Sequence, residues 1–225
     1  MKINFVFPSR ERPSKFFKTL DNIKEFISRD DYEVTTVLDL DDTTMNNDEV
    51  KERAKAYPQV KMNYTTTTGK VDAINKGLEF IDPAYEIMVL IADDLEFTMK
   101  GFDFEIEYNM MKYFPDLDGC IHFPDGVPQV GNRQITVPIC GRKLIDSWGY
   151  IYHKSYESVY CDNEMLSVLK ITKKVKYVNT KILLHAHPVW GLTEWDDLYR
   201  KNEDKEVYKK DAENYFKRVA INFDL

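Results

Sequence analysis

Short apolar runs and helical stripes alternate along the first half of the chain with a regular beat. Ile3 to Phe7 is a β-rich run closed by Pro8. From about Ser14 to Ser28, Phe16, Phe17, Leu20, Ile23, Phe26 and Ile27 recur at helical spacing, which predicts an amphipathic helix. Glu33 to Leu38 predicts a second strand, with Val34, Val37 and Leu38 set against Thr35 and Thr36. Asn47 to Tyr57 reads as a polar helix stopped by Pro58, and Val60 to Tyr64 as a third strand. Val71 to Ile81 is a helix ending before Pro83. Ile87 to Ala92 is a fourth strand without polar alternation, as expected when both faces are covered. Strands alternating with helices imply right-handed βαβ units and a mostly parallel sheet. In such sheets ligands bind beyond the carboxyl ends of the strands, which decides where chemistry should be sought.

The second half is less regular. Pro115, Pro124, Pro128 and Pro138 break the region around two strand candidates, Gly119 to Phe123 and Gln134 to Cys140. Asp162 to Lys170 predicts a helix, and Val175 to Val178 and Ile182 to Leu184 predict short strands. Thr193 to Arg218 reads as one charged helix with Leu198, Val207, Tyr208, Tyr215, Phe216 and Val219 as its apolar stripe. Nine acidic and seven basic residues from Glu194 onward argue for a docked, solvated helix over a basic membrane-binding one.

With 225 residues, 43% of them hydrophobic, the chain suffices for one well-cored domain. Its net charge of -7 argues against gripping a nucleic-acid backbone, which calls for a basic face. The longest apolar run, Ile87 to Ala92, has six residues, against the ~20 that span a bilayer. The N-terminus turns polar too soon for a signal peptide. Three cysteines, Cys120, Cys140 and Cys161, lack metal-ligand spacing and make a disulfide framework unexpected. A cytoplasmic, reducing setting is therefore the expectation.

The predicted strand ends gather charge. Strand one is followed by Pro8-Ser9-Arg10-Glu11-Arg12-Pro13, strand two ends in Asp39-Leu40-Asp41-Asp42, and strand four in Asp93-Asp94-Leu95-Glu96. Parallel pairing would bring these carboxylates and both arginines into one crevice. Uncompensated, so many close carboxylates would raise one another's pKa, and an oxygen-liganded cation bridging phosphates, Mg²⁺ or Mn²⁺, would resolve that. The competing role for Asp39 to Asp42 is a turn and helix cap. Gly69-Lys70 opens the third helix, where backbone N–H groups favour an anion and Lys70 adds a charge for a diphosphate. Asn75, a poor helix former, suggests a side-chain task. His185 and His187, at i, i+2 spacing, place two rings on one strand face.

Taken in order, these pieces resemble the family 2 type of GT-A glycosyltransferases from about Ile3 to His187. The strand ending in Pro8-Ser9-Arg10-Glu11-Arg12 resembles that family's opening strand and loop. Asp39 to Thr43 stands at its base- and ribose-binding turn. Gly69-Lys70-Val-Asp-Ala-Ile-Asn75-Lys-Gly77-Leu78 is similar to its Gly-Lys-x-x-Ala-x-Asn-x-Gly-Leu helix, and Val89 to Asp94 to its Asp-x-Asp region. Gly141-Arg142 and Trp148-Gly149-Tyr150 resemble the segment before the acceptor site. Cys161-Asp162-Asn-Glu164 stands where the family has its catalytic base. Ile91 departs from the pattern, replacing the first carboxylate of the family's Asp-Ala-Asp-Asp, and Glu11 stands where Asn is common.

The resemblance implies a GT-A, Rossmann-like α/β fold, with a mostly parallel central sheet flanked by helices and a C-terminal helix. Residues 1–98 would form the nucleotide-binding half, 99–192 the acceptor half and 193–225 a helical tail. It implies an inverting, metal-dependent hexosyl- or pentosyltransferase using a nucleotide-sugar, a UDP-sugar first, with Mn²⁺ or Mg²⁺. Pro8, Ser9, Arg10, Arg12, Asp39, Asp41, Lys70, Asn75, Asp93 and Asp94 would bind the donor. Asp93, Asp94 and His187 (His185 second) would hold the metal. Asp162, with Glu164 second, would take the proton from an acceptor hydroxyl. Three alternatives stand beside it. A sugar-1-phosphate nucleotidyltransferase would need a Gly-rich loop after strand one, which is absent. A non-catalytic nucleotide-sugar or carbohydrate-binding module would tolerate Ile91. A transferase acting on a nucleic-acid base is a subclass that the net charge discourages.

Overall fold

The computed structural model describes residues 1–127 and 132–225, so that Pro128 lies outside the described residues. The first half folds as β1 (Ile3–Pro8), α1 (Pro13–Phe26), β2 (Tyr32–Asp39), α2 (Asp48–Ala54), β3 (Val60–Lys61), β4 (Tyr64–Thr65), α3 (Lys70–Phe80) and β5 (Ile87–Leu90). The second half adds β6 (Leu95–Phe97), α4 (Phe102–Tyr113), β7 (Cys120–His122), β8 (Ile139–Gly141), α5 (Arg142–Trp148), α6 (Cys161–Ile171), β9 (Val175–Tyr177), β10 (Leu183–His185), α7 (Asp197–Asn202) and α8 (Lys205–Ala220).

The main sheet runs β3-β2-β1-β5-β8-β7-β9, with β4 also paired to β2. Neighbours are parallel except around β8, which is antiparallel to both β5 and β7. Strand periodicity divides the interior. Phe5, Phe7, Ile87 and Val89 enter one core with α1 and α4, whereas Val6 and Met88 enter the other with α3, α5 and α6. Covering both faces is what makes β5 apolar throughout, as its sequence predicts. On the second face α3 lies tight on the sheet: a Cβ at Gly77 would fall 2.3 Å from Val6 Cγ1. That close approach requires glycine.

Several elements differ from the sequence reading. The third strand is split into β3 and β4, because the Asn63 N–H and side chain bond Thr36 Oγ1 and Thr36 O around the break. The strand expected over Gln134 to Cys140 is confined to β8, entered through Pro138, which has no ladder N–H. Helices α4 and α5 and strand β6 were not predicted. In α4 the inward Phe102, Ile106 and Met110 share the helix with exposed Phe104, Tyr108 and Met111, which blurs the amphipathic contrast. The tail is two helices, separated where Asp204 caps α8 by accepting from the Glu206 N–H at 2.8 Å. Its expected apolar stripe holds only in part for α8: Val207 and Tyr215 are half-buried, Tyr208, Phe216 and Val219 are exposed, and Asp211 and Arg218 are the buried residues.

His122, on β7, is 2% exposed and its Nδ1 has no partner among the described residues. Burial pulls its pKa down to about 4. Between the unfolded value of ~6.5 and that folded value the unfolded chain holds a proton that the folded chain rejects. Stability is therefore retained above ~6.5 and lost as pH falls through this window, by about 3 kcal/mol. Urea unfolding at pH 7 and pH 4 should show this loss, and His122→Gln should reduce it.

Candidate active site

Parallel pairing of β1 with β2 and β5 puts the loops after Pro8, Asp39 and Leu90 at one sheet edge. There the expected carboxylate repulsion is relieved by the chain's own arginines. Arg10 makes a two-toothed contact with Asp41, at 2.9 and 3.2 Å, and lies 2.9 Å from Asp39. Asp39, buried, also accepts from the Thr67 N–H and hydroxyl, tying β2 to the segment leading into α3. Asp42 is a turn residue: it accepts from Thr44 and, at 2.7 Å, from the Glu11 N–H, locking the two loops together.

Asp93 and Asp94 stand at the centre. Asp93 accepts from Ser9 Oγ at 3.0 Å and from Arg12 at 2.8 Å. Burial raises the Asp93 carboxyl above its ordinary value, with Arg12 opposing. Asp94 meets the opposite balance. Burial pushes it up, but His185 and the Tyr199 hydroxyl outweigh that and hold it well below the usual carboxylate range. Tyr199 donates to Asp94 Oδ2 at 2.7 Å. His185 Nε2 lies 3.2 Å from Oδ1, yet Oδ1 is buried without a hydrogen bond.

The second histidine candidate, His185, is the one beside the carboxylates, and strand register explains why. β10 pairs antiparallel with β6 so that His185 opposes Leu95, one residue after Asp94, and the Ala186 N–H donates to Asp94 O at 2.8 Å. His187 falls beyond the strand. Its Nδ1 accepts from the Val189 N–H, capping the turn Pro188–Trp190, and its Nε2 contacts Glu203 at 2.9 Å. Both nitrogens of the expected metal ligand are thus occupied elsewhere.

Asn75, expected among the donor-binding groups, is a strut between α3 and the following fold. It donates to Tyr152 O at 2.7 Å and accepts from the Ile151 and Tyr152 N–H groups at 2.9 and 3.0 Å. Lys70 is exposed at the start of α3. The Val71 N–H contacts Glu157 O at 3.4 Å, joining this helix start to the loop before α6.

On that loop Tyr160 takes a positive φ of 60°, a conformation costly for a side chain of this size. Asp211 of α8 compensates: fully buried, it accepts from the N–H groups of Glu157, Ser158 and Val159. Asp162 follows in the first turn of α6, half-buried, accepting from Gln134 Nε2 and from the Asn163 N–H. Glu164, the second candidate base, is 3% exposed and accepts from Tyr156 at 2.6 Å and Arg218 at 2.7 Å. That buried pair makes Glu164 a structural anchor for α8.

Three residues of this site were missed in the sequence. Tyr199 and Asp196 of the tail and Lys15 of α1 all touch it: Asp196 lies 2.5 Å from Arg12 and 3.0 Å from Lys15. Burial opposes ionisation of Asp196, but Arg12 and Lys15 bring its pKa down to about 2. No local signal marks these residues, because the contacts join positions more than 100 apart.

As to a cation, the buried, unbonded Oδ1 of Asp94 beside the His185 nitrogen is a fitting donor pair. Among the described residues no group of three or more potential metal ligands is gathered. Such a sparse set suits an ion that takes its remaining ligands from phosphate and water, as Mg²⁺ and Mn²⁺ do.

No family model and no curated protein sequence matches the chain. Among solved structures it is similar to the mannosyltransferase PcManGT from Pyrobaculum calidifontis, in complex with GDP-Man and Mn²⁺. The TM-score is 0.60 at 18% identity, over 79% of this chain and 54% of that one. It is also similar to S. aureus TarS 1–349 in complex with UDP-GlcNAc, with TM-score 0.66, 13% identity, and 88% and 60% of the two chains covered. A third neighbour is 4-diphosphocytidyl-2C-methyl-D-erythritol synthase from Anaerococcus prevotii, with TM-score 0.52, 14% identity, and 94% and 95% covered. The chain thus spans little more than half the length of the first of these glycosyltransferase structures. It has a GT-A-type glycosyltransferase fold: a mostly parallel central sheet flanked by helices.

Proposed function

We propose that this chain transfers a sugar from a nucleotide-sugar, a UDP-sugar first, to an acceptor hydroxyl with inversion. The observation that carries the reading is the convergence of Arg12, Asp93, Asp94 and His185, from three distant segments, at the carboxyl edge of a GT-A-type sheet. Residues 1–98 supply most of the donor side, 99–192 the acceptor side, and 193–225 a tail that touches both.

Each group has a role that its surroundings suit. Asp39 and Asp41, anchored by Arg10, accept hydrogen bonds from the base and ribose. Ser9 and Arg12 fix Asp93, and Pro8 sets the chain direction into that loop. Lys70 at the start of α3 is free to swing toward a diphosphate. Asp94 with His185, in place of His187, would hold Mn²⁺ or Mg²⁺, which supplies positive charge against the departing diphosphate. Asp162 takes the acceptor proton as the hydroxyl attacks the anomeric carbon and the bond to the diphosphate oxygen breaks. A nucleotidyltransferase reading fares less well, because the loop after β1 has no glycine and its arginines are paired with carboxylates.

The test is thermal unfolding with UDP, GDP, CMP and dTDP, each with Mn²⁺ and again with EDTA. One nucleotide at 100 times its Kd should stabilise by ~2.7 kcal/mol in Mn²⁺ and not in EDTA. Silence from all of them would overturn the nucleotide-sugar reading and leave the fold untouched.

A further inference from the structure

The groups expected to meet the donor are engaged by the chain's own tail. One carboxylate oxygen of Asp196 lies 2.5 Å from Arg12 Nη2 and the other 3.0 Å from Lys15 Nζ. Two residues into α7, the Tyr199 ring covers the Arg12 guanidinium at 3.8 Å, and its hydroxyl donates to Asp94 at 2.7 Å. Arg12 is nine-tenths buried, yet its Nε has no hydrogen-bond partner among the described residues. An anion therefore sits on two cations, and a hydroxyl sits on the carboxylate beside His185. A diphosphate with its cation would present the same pattern of charges to the same groups.

The segment is short, and Tyr199 is its one buried residue among those described. α7 is six residues long, separated from α8 by the Asp204 cap. Its other contacts among the described residues include Lys15 Nζ over the Tyr199 ring at 4.7 Å, the Glu203–His187 pair and the edges of the Trp195 and His187 rings. Exposed Leu192 and Trp195 precede it.

Resting on the nucleotide-sugar reading, we propose that Asp196 and Tyr199 form an internal placeholder for the donor. Binding a nucleoside diphosphate requires Asp196 to release Arg12 and Lys15, and Tyr199 to release Asp94. The free site is thus kept neutralised and covered, and the measured affinity is lowered by the cost of breaking these contacts.

Two conservative variants separate the contacts from the fold. Tyr199→Phe keeps the ring over Arg12 and removes only the hydroxyl. Asp196→Asn keeps an acceptor for the Tyr199 N–H, now 3.0 Å away, and removes the charge. Calorimetric titration with UDP and with GDP, in Mn²⁺, should show each variant binding about three- to tenfold tighter than the unaltered chain, as loss of roughly one competing hydrogen bond predicts. In a Trp148→Phe, Trp190→Phe background, the remaining Trp195 should change its emission as UDP binds, because its ring packs on Tyr199 and His187. Equal or weaker binding by both variants, or an unchanged Trp195 emission at saturation, would overturn the placeholder while leaving the nucleotide site standing. No binding by the unaltered chain or either variant would reject both. Binding by the variants alone would support both.

Discussion

Asp94→Asn should weaken cation-dependent nucleotide binding on the order of a hundredfold, the effect of losing about 3 kcal/mol. The reason lies in what surrounds the carboxylate. Asn is isosteric and still accepts the Tyr199 hydroxyl, so the change isolates charge from shape. What it removes is the anion facing His185 and the buried, unbonded oxygen available to a cation. The neighbouring carboxylate, Asp93, is committed to Ser9 and Arg12 and is poorly placed to take over. The measurement is calorimetric titration of UDP in Mn²⁺, with Asp41→Asn as the contrast. Asp41 is 76% exposed at its side chain, and Arg10 keeps Asp39 as a partner without it, so its loss should change affinity only severalfold. Equal binding by Asp94→Asn and the unaltered chain would remove Asp94 from the cation site.

Asp162→Asn should leave nucleotide affinity within about twofold and lower turnover by ~10²–10⁴, the range for loss of a general base. Release of nucleoside diphosphate from the nucleotide-sugar, with water as the acceptor, provides the assay. Glu164→Gln is the informative companion, because the two residues lie two positions apart on α6 and have different work. Asp162 is half-buried and its Oδ2 meets only a neutral amide from Gln134. Glu164 is committed to Arg218 and Tyr156. Neutralising Glu164 leaves Arg218 with only the exposed Asp224 as a charged partner and should lower stability by about 1–3 kcal/mol, read by urea unfolding, without the large loss of turnover. Undiminished diphosphate release by Asp162→Asn would exclude it as the base.

How much of this could be read beforehand depended on the range of the interactions involved. The unbroken apolar run from Ile87 to Ala92 is a local pattern, and it foretold a strand with two covered faces: Ile87 and Val89 enter one core, Met88 and Leu90 the other. Gly77, matched by motif, has a physical reason in the 2.3 Å approach to Val6. Asn75, matched in the same motif, is instead tied to backbone groups of Ile151 and Tyr152, a pairing no helix-level pattern reveals. For the tail, the helical stripe of apolar residues was right in part: Tyr215 packs on the core, but Tyr208, Phe216 and Val219 face solvent. α8 is held also by Asp211 on three backbone N–H groups and by Arg218 on Glu164, polar contacts that a hydrophobic stripe does not reveal.

By itself, then, the sequence determined the strand–helix succession of the first half and the gathering of Arg10, Arg12, Asp39, Asp93 and Asp94 at one edge. Both follow from local periodicity and from the rule that parallel strands end together. Only the tertiary structure decided which histidine faces Asp94, that Glu164 is an anchor, and that Asp196 and Tyr199 cover the site. These depend on the register of β10 against β6 and on contacts between residues more than fifty positions apart. Such pairings carry no periodic trace along the chain, because the energy that selects them exists only once the two segments have met.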